Sequence, residues 1–331
     1  MRVLVTGSAG FIGYHLCELL LAEGAEVIGL DAHDAYYDPA LKEAREARLR
    51  ARPGFTPIRA RVEDAGVLAG LFASHKPDIV VHLAAQAGVR YSIENPRAYL
   101  ESNLIGTFEL LEAARAHPPR HMLLASTSSA YGANTEMPYR ETDKADAQMS
   151  FYAATKKSTE SMAHSYAHLF GLPVTMFRFF TVYGPWGRPD MAPWLFTSAI
   201  MAGQPIKVFN HGDMRRDFTY VTDLVRAIRL LMDAAPGDTP VGPKDSLSPA
   251  APFRVVNIGN GAPVELLDFI AAIEAATGKP AIKQMLPMQP GDVPATWADT
   301  ALLSRLTGYA PQTPVQKGVA EYVDWFRSYY L

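Results

Sequence analysis

Short apolar runs alternate with amphipathic stretches through the first half of the chain. Helical patterns separate the runs near residues 12–23, 65–75, 97–116 and 151–170. Continuous Val, Ile and Leu runs are typical of parallel strands that are buried on both faces and joined by helices. The pattern therefore predicts an α/β fold with a doubly wound parallel sheet. The runs are RVLVTG (2–7), EVIGLD (26–31), DIVVHLAA (78–85), HMLLAST (121–127) and PVTMFRFF (173–180).

The strand–helix alternation weakens after about residue 180. Prolines and glycines punctuate residues 184–215, and APGDTPVGPKDSLSPAAP (235–252) is typical of a surface excursion. A chain of 331 residues also exceeds the size at which one hydrophobic core usually stops growing. We therefore expect a main domain over residues 1–180 and a smaller lobe over 181–331, with some segments of the lobe returning to the main domain.

Composition narrows the class of protein. The formal net charge is −3, with 48% hydrophobic and 20% charged residues, so we expect neither nucleic acid nor a membrane surface as a partner. No run approaches the roughly 20 apolar residues of a membrane span, and no basic leader precedes the first strand, which favours a cytoplasmic protein. The single cysteine, Cys17, excludes an internal disulfide and is expected to be a buried helix residue.

The turn after the first strand carries the first candidate site. The segment GSAGFIG places Gly7, Gly10 and Gly13 between a strand and a helix. Glycines there allow close approach of a pyrophosphate to the N–H groups at the helix N-terminus. Asp31 closes the next strand, where it can accept hydrogen bonds from ribose hydroxyls and repel a 2′-phosphate. The pattern predicts an NAD site, although a merely tight turn has the same glycines.

A tyrosine and a lysine form the second candidate site. Tyr152 and Lys156 lie four residues apart, so they share one face of the predicted helix. A run of hydroxyl residues, Ser126 to Ser129 with Thr127 among them, stands upstream at the end of a predicted strand. A surface tyrosine and lysine on an amphipathic helix would have the same spacing. The glycine turn and the hydroxyl run together favour a catalytic pair.

The spacing G-x-x-G-x-x-G with a later Tyr-x-x-x-Lys resembles the extended short-chain dehydrogenase/reductase superfamily over essentially the whole chain. Within that superfamily, several long segments are similar to UDP-glucuronate 4-epimerases. The resemblance implies a Rossmann domain, a C-terminal lobe that binds a UDP-sugar, and a homodimer formed through the helices near 97–116 and 151–170. The segments are residues 82–112, 151–173, 178–192, 212–223 and 288–300.

This resemblance also implies an activity and catalytic roles. The reaction would convert UDP-glucuronic acid to UDP-galacturonic acid, for polysaccharide biosynthesis, through a 4-keto sugar and tightly bound NAD. Tyr152 would act as a phenolate base that Lys156 and the nicotinamide help to ionise, because a free phenol has a pKa of about 10. Thr127 would relay the proton of the sugar 4-hydroxyl. The implied cofactor contacts are Gly7, Gly10, Phe11, Ile12, Gly13, Asp31, Leu83, Ala84, Ala85, Tyr152 and Lys156.

Substrate contacts follow from the same resemblance. Ser128, Ser129 and Thr181 are implied to restrain the C5 carboxylate, since a 4-keto uronic acid loses CO₂ readily. Arg188 would pair with that carboxylate or with the nucleotide. In the C-terminal lobe, Arg216 matches a pyrophosphate-binding arginine and Asp292 matches a ribose-binding acid.

Two positions depart from the family pattern. Arg61 stands where relatives have an acid near the adenine, so either Val62 and Glu63 take over that contact or it is missing. Gln289 replaces a second arginine of many relatives. If the contact at Arg61 is missing, we expect lower cofactor affinity. With Gln289, nucleotide affinity would depend on Arg216, Arg188 or another basic group.

Alternative functions remain open. Sugar dehydratases carry an Asp-Glu pair after the catalytic threonine, and uronate decarboxylases carry a glutamate near the same turn. Here Ser128, Ser129 and Ala130 contain no carboxylate, which leaves a UDP-glucuronate decarboxylase or another NAD-dependent nucleotide-sugar epimerase as the second choice. A noncatalytic NAD-binding regulator is a third. We expect no metal, because His164 and His168 lack a third ligand.

Overall fold

The computed structural model of the protein describes residues 1–289 and 293–331. The strands in these ranges are numbered along the chain. They are β1 Arg2–Thr6, β2 Glu26–Asp31, β3 Phe55–Arg59, β4 Ile79–His82, β5 His121–Thr127, β6 Val174–Phe179, β7 Thr181–Tyr183, β8 Pro205–Val208, β9 Arg215–Tyr220, β10 Phe253–Ile258, β11 Pro263–Glu265, β12 Ile282–Met285 and β13 Ala295–Thr296.

The α-helices are numbered in the same way. They are α1 Phe11–Ala22, α2 Pro39–Arg50, α3 Val67–His75, α4 Tyr91–Glu94, α5 Pro96–Tyr99, α6 Gly106–Ala116, α7 Phe151–Phe170, α8 Ala192–Met201, α9 Val221–Leu231, α10 Leu266–Thr277, α11 Ala301–Thr307 and α12 Val315–Tyr330. A π-helical turn spans Leu100–Ile105, and 3₁₀ turns span Ser128–Tyr131 and Phe209–Gly212.

A parallel sheet forms the centre of the main domain. Its order is β10-β6-β5-β4-β1-β2-β3. All five predicted runs are strands, and the order reverses between β1 and β4, so the doubly wound Rossmann prediction is confirmed. The five predicted apolar runs do not include β3 and β10. β10 comes from the second half of the chain and pairs with β6 at the sheet edge.

Burial on both faces explains the unbroken apolar runs. Val3 and Val5 belong to a cluster with buried residues of α1 and α9, whereas Leu4 between them belongs to a cluster with residues of α3 and α6. Successive residues of one strand therefore pack into opposite helical layers. Because helices cover both faces of the sheet, the carboxyl ends of the strands remain open to form a site.

The predicted helix near 97–116 is interrupted. The chain passes from α5 through the π turn Leu100–Ile105 into α6. The buried amide of Asn103 in that turn accepts from Gln86 N at 2.8 Å and donates to Gln86 O and to Thr155 Oγ1. These tertiary bonds hold Asn103 between the cleft loop and α7, and single π turns of this kind are common at functional sites.

Helix α7 has the predicted bounds and clear end signals. Ser150 Oγ accepts from Ala153 N at its start, and Gly171 follows its end with a φ of 65°. Its two histidines contact the excursion at 235–252. His164 Nε2 lies 2.8 Å from Ser248 Oγ, and His168 Nδ1 lies 2.7 Å from Ala250 O.

A further core cluster consists mainly of residues after 181 and also includes Leu41 of α2. Phe218 of β9 stacks on Phe269 of α10 with ring centroids 3.9 Å apart, and α12 packs against the same cluster. β9 pairs with β7, β11 and β13, and β8 pairs with β12. Cys17 is buried in α1, where burial raises the pKa of its thiol. Within residues 1–289 and 293–331, no helix is long and apolar enough to cross a membrane.

A buried acid near the junction of the two parts gives a stability prediction. Burial raises the pKa of Glu141 to about 7, although its carboxylate accepts from Asn257 N at 2.9 Å. The native state therefore holds a proton that the unfolded chain releases earlier, so this group lowers stability as the pH rises from about 4.5 to 7. Glu141→Gln should raise the free energy of unfolding by about 1–3 kcal/mol at pH 8 and far less at pH 4.5.

Urea unfolding of both proteins at the two pH values measures this difference. The variant can keep the bond from Asn257 N through its amide oxygen. An equal gain at both pH values would show that ionisation of Glu141 is not the cause.

Candidate active site

The glycine turn brings α1 into direct backbone contact with the end of β1. Gly7 has a φ of 72°, and a Cβ at Gly7 would lie 2.8 Å from Ala84 N. A Cβ at Gly13 would lie 2.0 Å from Gly7 O. Gly10 caps α1 without a side chain, so the first N–H groups of the helix face an open cradle. Such a cradle suits the pyrophosphate of a dinucleotide.

One cleft at the carboxyl edge of the sheet collects the predicted cofactor residues. All of those implied by the resemblance line it together with Arg188. They are Gly7, Gly10, Phe11, Ile12, Gly13, Asp31, Leu83, Ala84, Ala85, Tyr152 and Lys156. Other lining residues that sequence reasoning did not single out include Asp34, Tyr36, Tyr37, Lys42, Gln86 and Ala87.

Backbone hydrogen bonds orient Asp31 at the end of β2. Its two carboxylate oxygens accept from Ala9 N at 3.0 Å and from His33 N at 2.8 Å. Each oxygen keeps a further lone pair for a ribose hydroxyl. The acid is buried at the cleft wall, where a 2′-phosphate would meet its negative charge. This environment fits NAD rather than NADP.

The position of Arg61 is also at the cleft. Its guanidinium donates to Glu63 at 2.6 Å and to Asp34 at 3.3 Å, and the bond to Glu63 is the main reason that the pKa of Arg61 is raised. Val62 and Glu63 line the cleft beside it. The charge of Arg61 is thus balanced by Glu63 and Asp34. An acid, Glu63, therefore lies beside the position where Arg61 departs from the family pattern.

Tyr152 and Lys156 face the cleft from α7. Burial raises the pKa of the Tyr152 phenol, and a hydrogen bond with Thr127 and the positive charge of Arg188 oppose that rise. Burial lowers the pKa of Lys156 to about 8, and the charge of Glu160 opposes this change. The phenol and the ammonium predicted from sequence therefore line the same cleft, and Thr127 is close enough to lower the pKa of the phenol. Arg188, which the sequence predicted only as a substrate contact, also places positive charge near the phenol.

A buried carboxylate fixes α7 against two adjacent strands of the sheet, β5 and β6. Glu160 accepts from Ser126 Oγ of β5 at 2.6 Å and from Arg178 of β6 at 2.8 and 2.7 Å. Lys157 Nζ lies 3.0 Å away. Although burial opposes its ionisation, Arg178 holds the pKa of Glu160 at about 2. The carboxylate is therefore charged one helical turn from Lys156.

The predicted carboxylate-binding residues follow adjacent strands. Ser128 and Ser129 form the 3₁₀ turn after β5, and Ser129 N donates to Thr127 Oγ1 at 3.1 Å. Thr181 begins β7, two residues beyond Phe179, which pairs with Thr127. These hydroxyls share the carboxyl edge of the sheet, although they are not among the residues that line the cofactor cleft.

Arg188 reaches the cleft from the loop between β7 and α8. It makes a two-pronged ion pair with Asp190, with distances of 3.0 and 2.6 Å. Tyr36 donates to the same carboxylate at 3.1 Å. The side chain of Arg188 is about 20% exposed and lines the cleft.

One of the two predicted nucleotide residues, Arg216, lies in β9. Arg216 of β9 donates to Arg215 O at 2.9 Å and to Pro294 O at 3.1 Å, and its side chain is partly exposed. Next to it, the buried Asp217 accepts from the backbone N–H groups of Asn260 and Gly261 and so fixes the strand. Asp292, the predicted ribose ligand, lies outside the described residues. Gln289 is the last described residue before that gap.

A family model described as the NAD dependent epimerase/dehydratase family matches residues 3–242, and the chain belongs to that family. The chain is 52% identical, over its whole length and 98% of the relative, to a probable UDP-glucuronate 4-epimerase of Rhizobium meliloti (strain 1021). It is 45% identical over its whole length to UDP-glucuronate 4-epimerase 4 of Arabidopsis thaliana, of which it covers 76%.

A solved structure gives the same result at the level of the fold. UDP-glucuronic acid 4-epimerase from Bacillus cereus, in complex with UDP-glucuronic acid and NAD, superposes with a TM-score of 0.89. The two chains are 32% identical, and each is fully covered.

The contact between Gly13 and Gly7 yields a direct prediction. Gly13→Ala should lower the affinity for NAD at least about tenfold, because its Cβ would displace the turn that forms the cradle. Gly70→Ala in α3 is the matched control, since no atom lies within 4 Å of a Cβ there. Calorimetric titration with NAD and a thermal melt measure both variants. Unchanged affinity in Gly13→Ala would contradict the assignment of the cradle.

Proposed function

We propose that this protein is a UDP-glucuronate 4-epimerase that interconverts UDP-glucuronic acid and UDP-galacturonic acid with tightly bound NAD. The observation that carries the proposal is one cleft in which Tyr152 and Lys156 lie together with the glycine cradle. Its family membership and the identity of 52% to a probable UDP-glucuronate 4-epimerase support it.

The cleft fits NAD at each of its parts. The glycine turn and α1 would hold the pyrophosphate, Asp31 the adenosine ribose, and Tyr152 and Lys156 the nicotinamide end. When bound, NAD supplies reversible oxidation of the sugar at C4. The protein's own tasks are then to move the proton of the 4-hydroxyl and to orient the ring.

Proton transfer falls to Thr127 and Tyr152. Thr127 bonds the 4-hydroxyl of the sugar and passes its proton to the Tyr152 phenolate. The phenolate must be stabilised by nearby positive charge, because burial alone raises its pKa. Lys156 carries that charge below a pH of about 8, and Arg188 adds to it from the opposite loop. Activity therefore needs a charged Lys156.

The C5 carboxylate must be restrained while C4 is a ketone. Ser128, Ser129 and Thr181 supply hydroxyl donors at the same edge of the sheet, and Arg188 supplies charge. A decarboxylase is the second candidate, but the turn Ser128–Tyr131 after the catalytic threonine holds no acid. Arg216 and Asp292 are proposed to bind the UDP moiety. The cytoplasmic location stays a prediction.

Purified protein incubated with UDP-glucuronic acid should yield UDP-galacturonic acid. Tyr152→Phe should lower kcat by about 10²–10⁴-fold, because the phenol is the proton acceptor, while leaving NAD content unchanged. Chromatographic separation of the UDP-sugars measures the products, and absorbance after denaturation measures bound NAD.

Tyr166→Phe on the same helix is the matched control, since that hydroxyl bonds Glu112 and not the cleft. Release of CO₂ and a UDP-pentose would favour the decarboxylase, and no conversion would favour the regulator. Full activity in Tyr152→Phe would refute the assignment of the base.

We also propose that two copies associate through α6 and α7. These helices pack side by side, as the bond from Tyr166 to Glu112 shows. Large apolar side chains on them and on the preceding π turn are 38–65% exposed, which is typical of a surface that a protein partner covers. They are Leu100, Ile105, Phe108, Phe151, Leu169 and Phe170.

Light scattering should give about twice the chain mass of 36.2 kDa for the wild-type protein at micromolar concentration. Phe108→Glu should shift the mass toward that of one chain, because a charge would be buried in the contact. Leu195→Glu is the control, since Leu195 is 46% exposed on α8 of the other lobe. A wild-type protein of single-chain mass would exclude the dimer.

A further inference from the structure

A fully buried arginine links three segments around the cofactor cleft. Arg45 of α2 has no exposed surface, and its guanidinium donates to Ala9 O in the glycine turn at 2.9 Å. It also donates to Tyr37 Oη at 2.9 Å and to Trp186 O at 2.5 Å. Trp186 belongs to the loop over residues 184–191, which carries Arg188. One side chain thus ties the dinucleotide turn to the sugar-side loop.

The chemistry of these bonds requires an arginine. All three acceptors are uncharged oxygens, and among the described residues Arg45 makes no ion pair with a carboxylate. A buried charge without an acid is costly, so the position is unfavourable for folding alone. The planar guanidinium can donate to several acceptors at fixed angles, whereas a lysine ammonium is a compact point charge on a flexible stem.

A second bond fastens the same loop to α1. His15 Nε2 lies 2.8 Å from Pro185 O, and burial lowers the pKa of His15 to about 4. The ring is therefore neutral at pH 7, with its proton on Nε2 toward the carbonyl. The Trp186 ring packs against Tyr14, and Arg48 lies over it at 5.5 Å.

The backbone of the loop is strained where it is fastened. Trp186 has a φ of 62°, in the left-handed region that a large side chain rarely adopts. Strained residues persist only where surrounding contacts hold them, and they cluster at functional sites. The bonds from Arg45 and His15 act on Trp186 and the residue before it. Arg188 follows two residues later and reaches the cleft near Tyr152.

We propose that Arg45 is a positioning residue that holds the loop over residues 184–191 so that Arg188 meets the anionic sugar of the substrate. Arg45 itself does not line the cleft, and it acts through the Trp186 carbonyl. The inference rests on the proposed function for the identity of that sugar, a uronic acid. The dinucleotide turn and the sugar loop are then held in one geometry.

Binding measurements in a Tyr152→Phe background test this without turnover. Calorimetry gives Kd for UDP-glucuronic acid and for UDP in four proteins: the background, Arg45→Lys, Arg188→Met and the double variant. We expect each single change to weaken the binding of UDP-glucuronic acid about tenfold. The double variant should bind it no more weakly than Arg188→Met, because both changes remove the same contact. Affinity for UDP should change less than about twofold in Arg45→Lys.

If the two fold increases in Kd multiply in the double variant, the proposal is overturned, since Arg45 would then act independently of Arg188. If Arg45→Lys weakens the binding of UDP and of UDP-glucuronic acid equally, the proposal is overturned too. Arg50→Lys is the matched control on α2, because Arg50 is 57% exposed and pairs with Glu46 on the same helix. NAD content and the melting temperature show whether each variant retains the cleft.

If Arg45→Lys does not fold, His15→Phe takes its place in the same cycle. That change removes the bond to Pro185 O and keeps the aromatic contacts with Phe11 and Tyr14. The expected non-additivity with Arg188→Met is the same, and additivity would again overturn the proposal. Failure of the proposed function is seen separately, as wild-type protein that binds UDP-glucuronic acid and forms no UDP-galacturonic acid.

Discussion

The bonds around the Glu160 carboxylate fix the geometry on which the site depends. They join Ser126 of β5, Arg178 of β6 and the helix that carries Tyr152 and Lys156. Thr127 follows Ser126 directly, so the buried charge of Glu160 fixes the end of β5 against the helix that carries Tyr152. Removal of one partner from such a buried pair costs about 3–5 kcal/mol.

Burial shifts the protonation of the catalytic pair away from the charged forms. It raises the pKa of the phenol and lowers that of the ammonium to about 8. The site opposes both shifts with charges from outside the pair, Arg188 for Tyr152 and Glu160 for Lys156. An anionic substrate would offset part of the Arg188 charge, whereas an oxidised nicotinamide adds positive charge near the phenol. The ionisation of Tyr152 therefore depends on which of the two ligands is bound.

Sequence was sufficient where one local rule determined the outcome. The unbroken run at 121–127 needed only burial on both faces, and α7 has clear signals at Ser150 and Gly171. The short strand β10 was missed because its burial comes from pairing with β6, far away in the chain. Arg45 gave no signal either, since an arginine in a charged helix is ordinarily exposed. Its role arises only from the meeting of three distant segments.

The division of the chain has a consequence for specificity. The predicted cofactor residues lie within the first 180 residues, whereas Arg188 and the proposed UDP contacts come from the second part. A ketone at C4 makes the uronic acid prone to lose CO₂ if its carboxylate turns perpendicular to the carbonyl. The sugar must nevertheless present both faces to one nicotinamide, so the carboxylate has to be held by groups that permit rotation of the ring. Hydroxyls of Ser128, Ser129 and Thr181 meet that need better than one rigid ion pair, because each can donate and accept in several directions. Under the proposed function, such hydroxyls beside Arg188 would let the sugar ring turn while its carboxylate stays restrained.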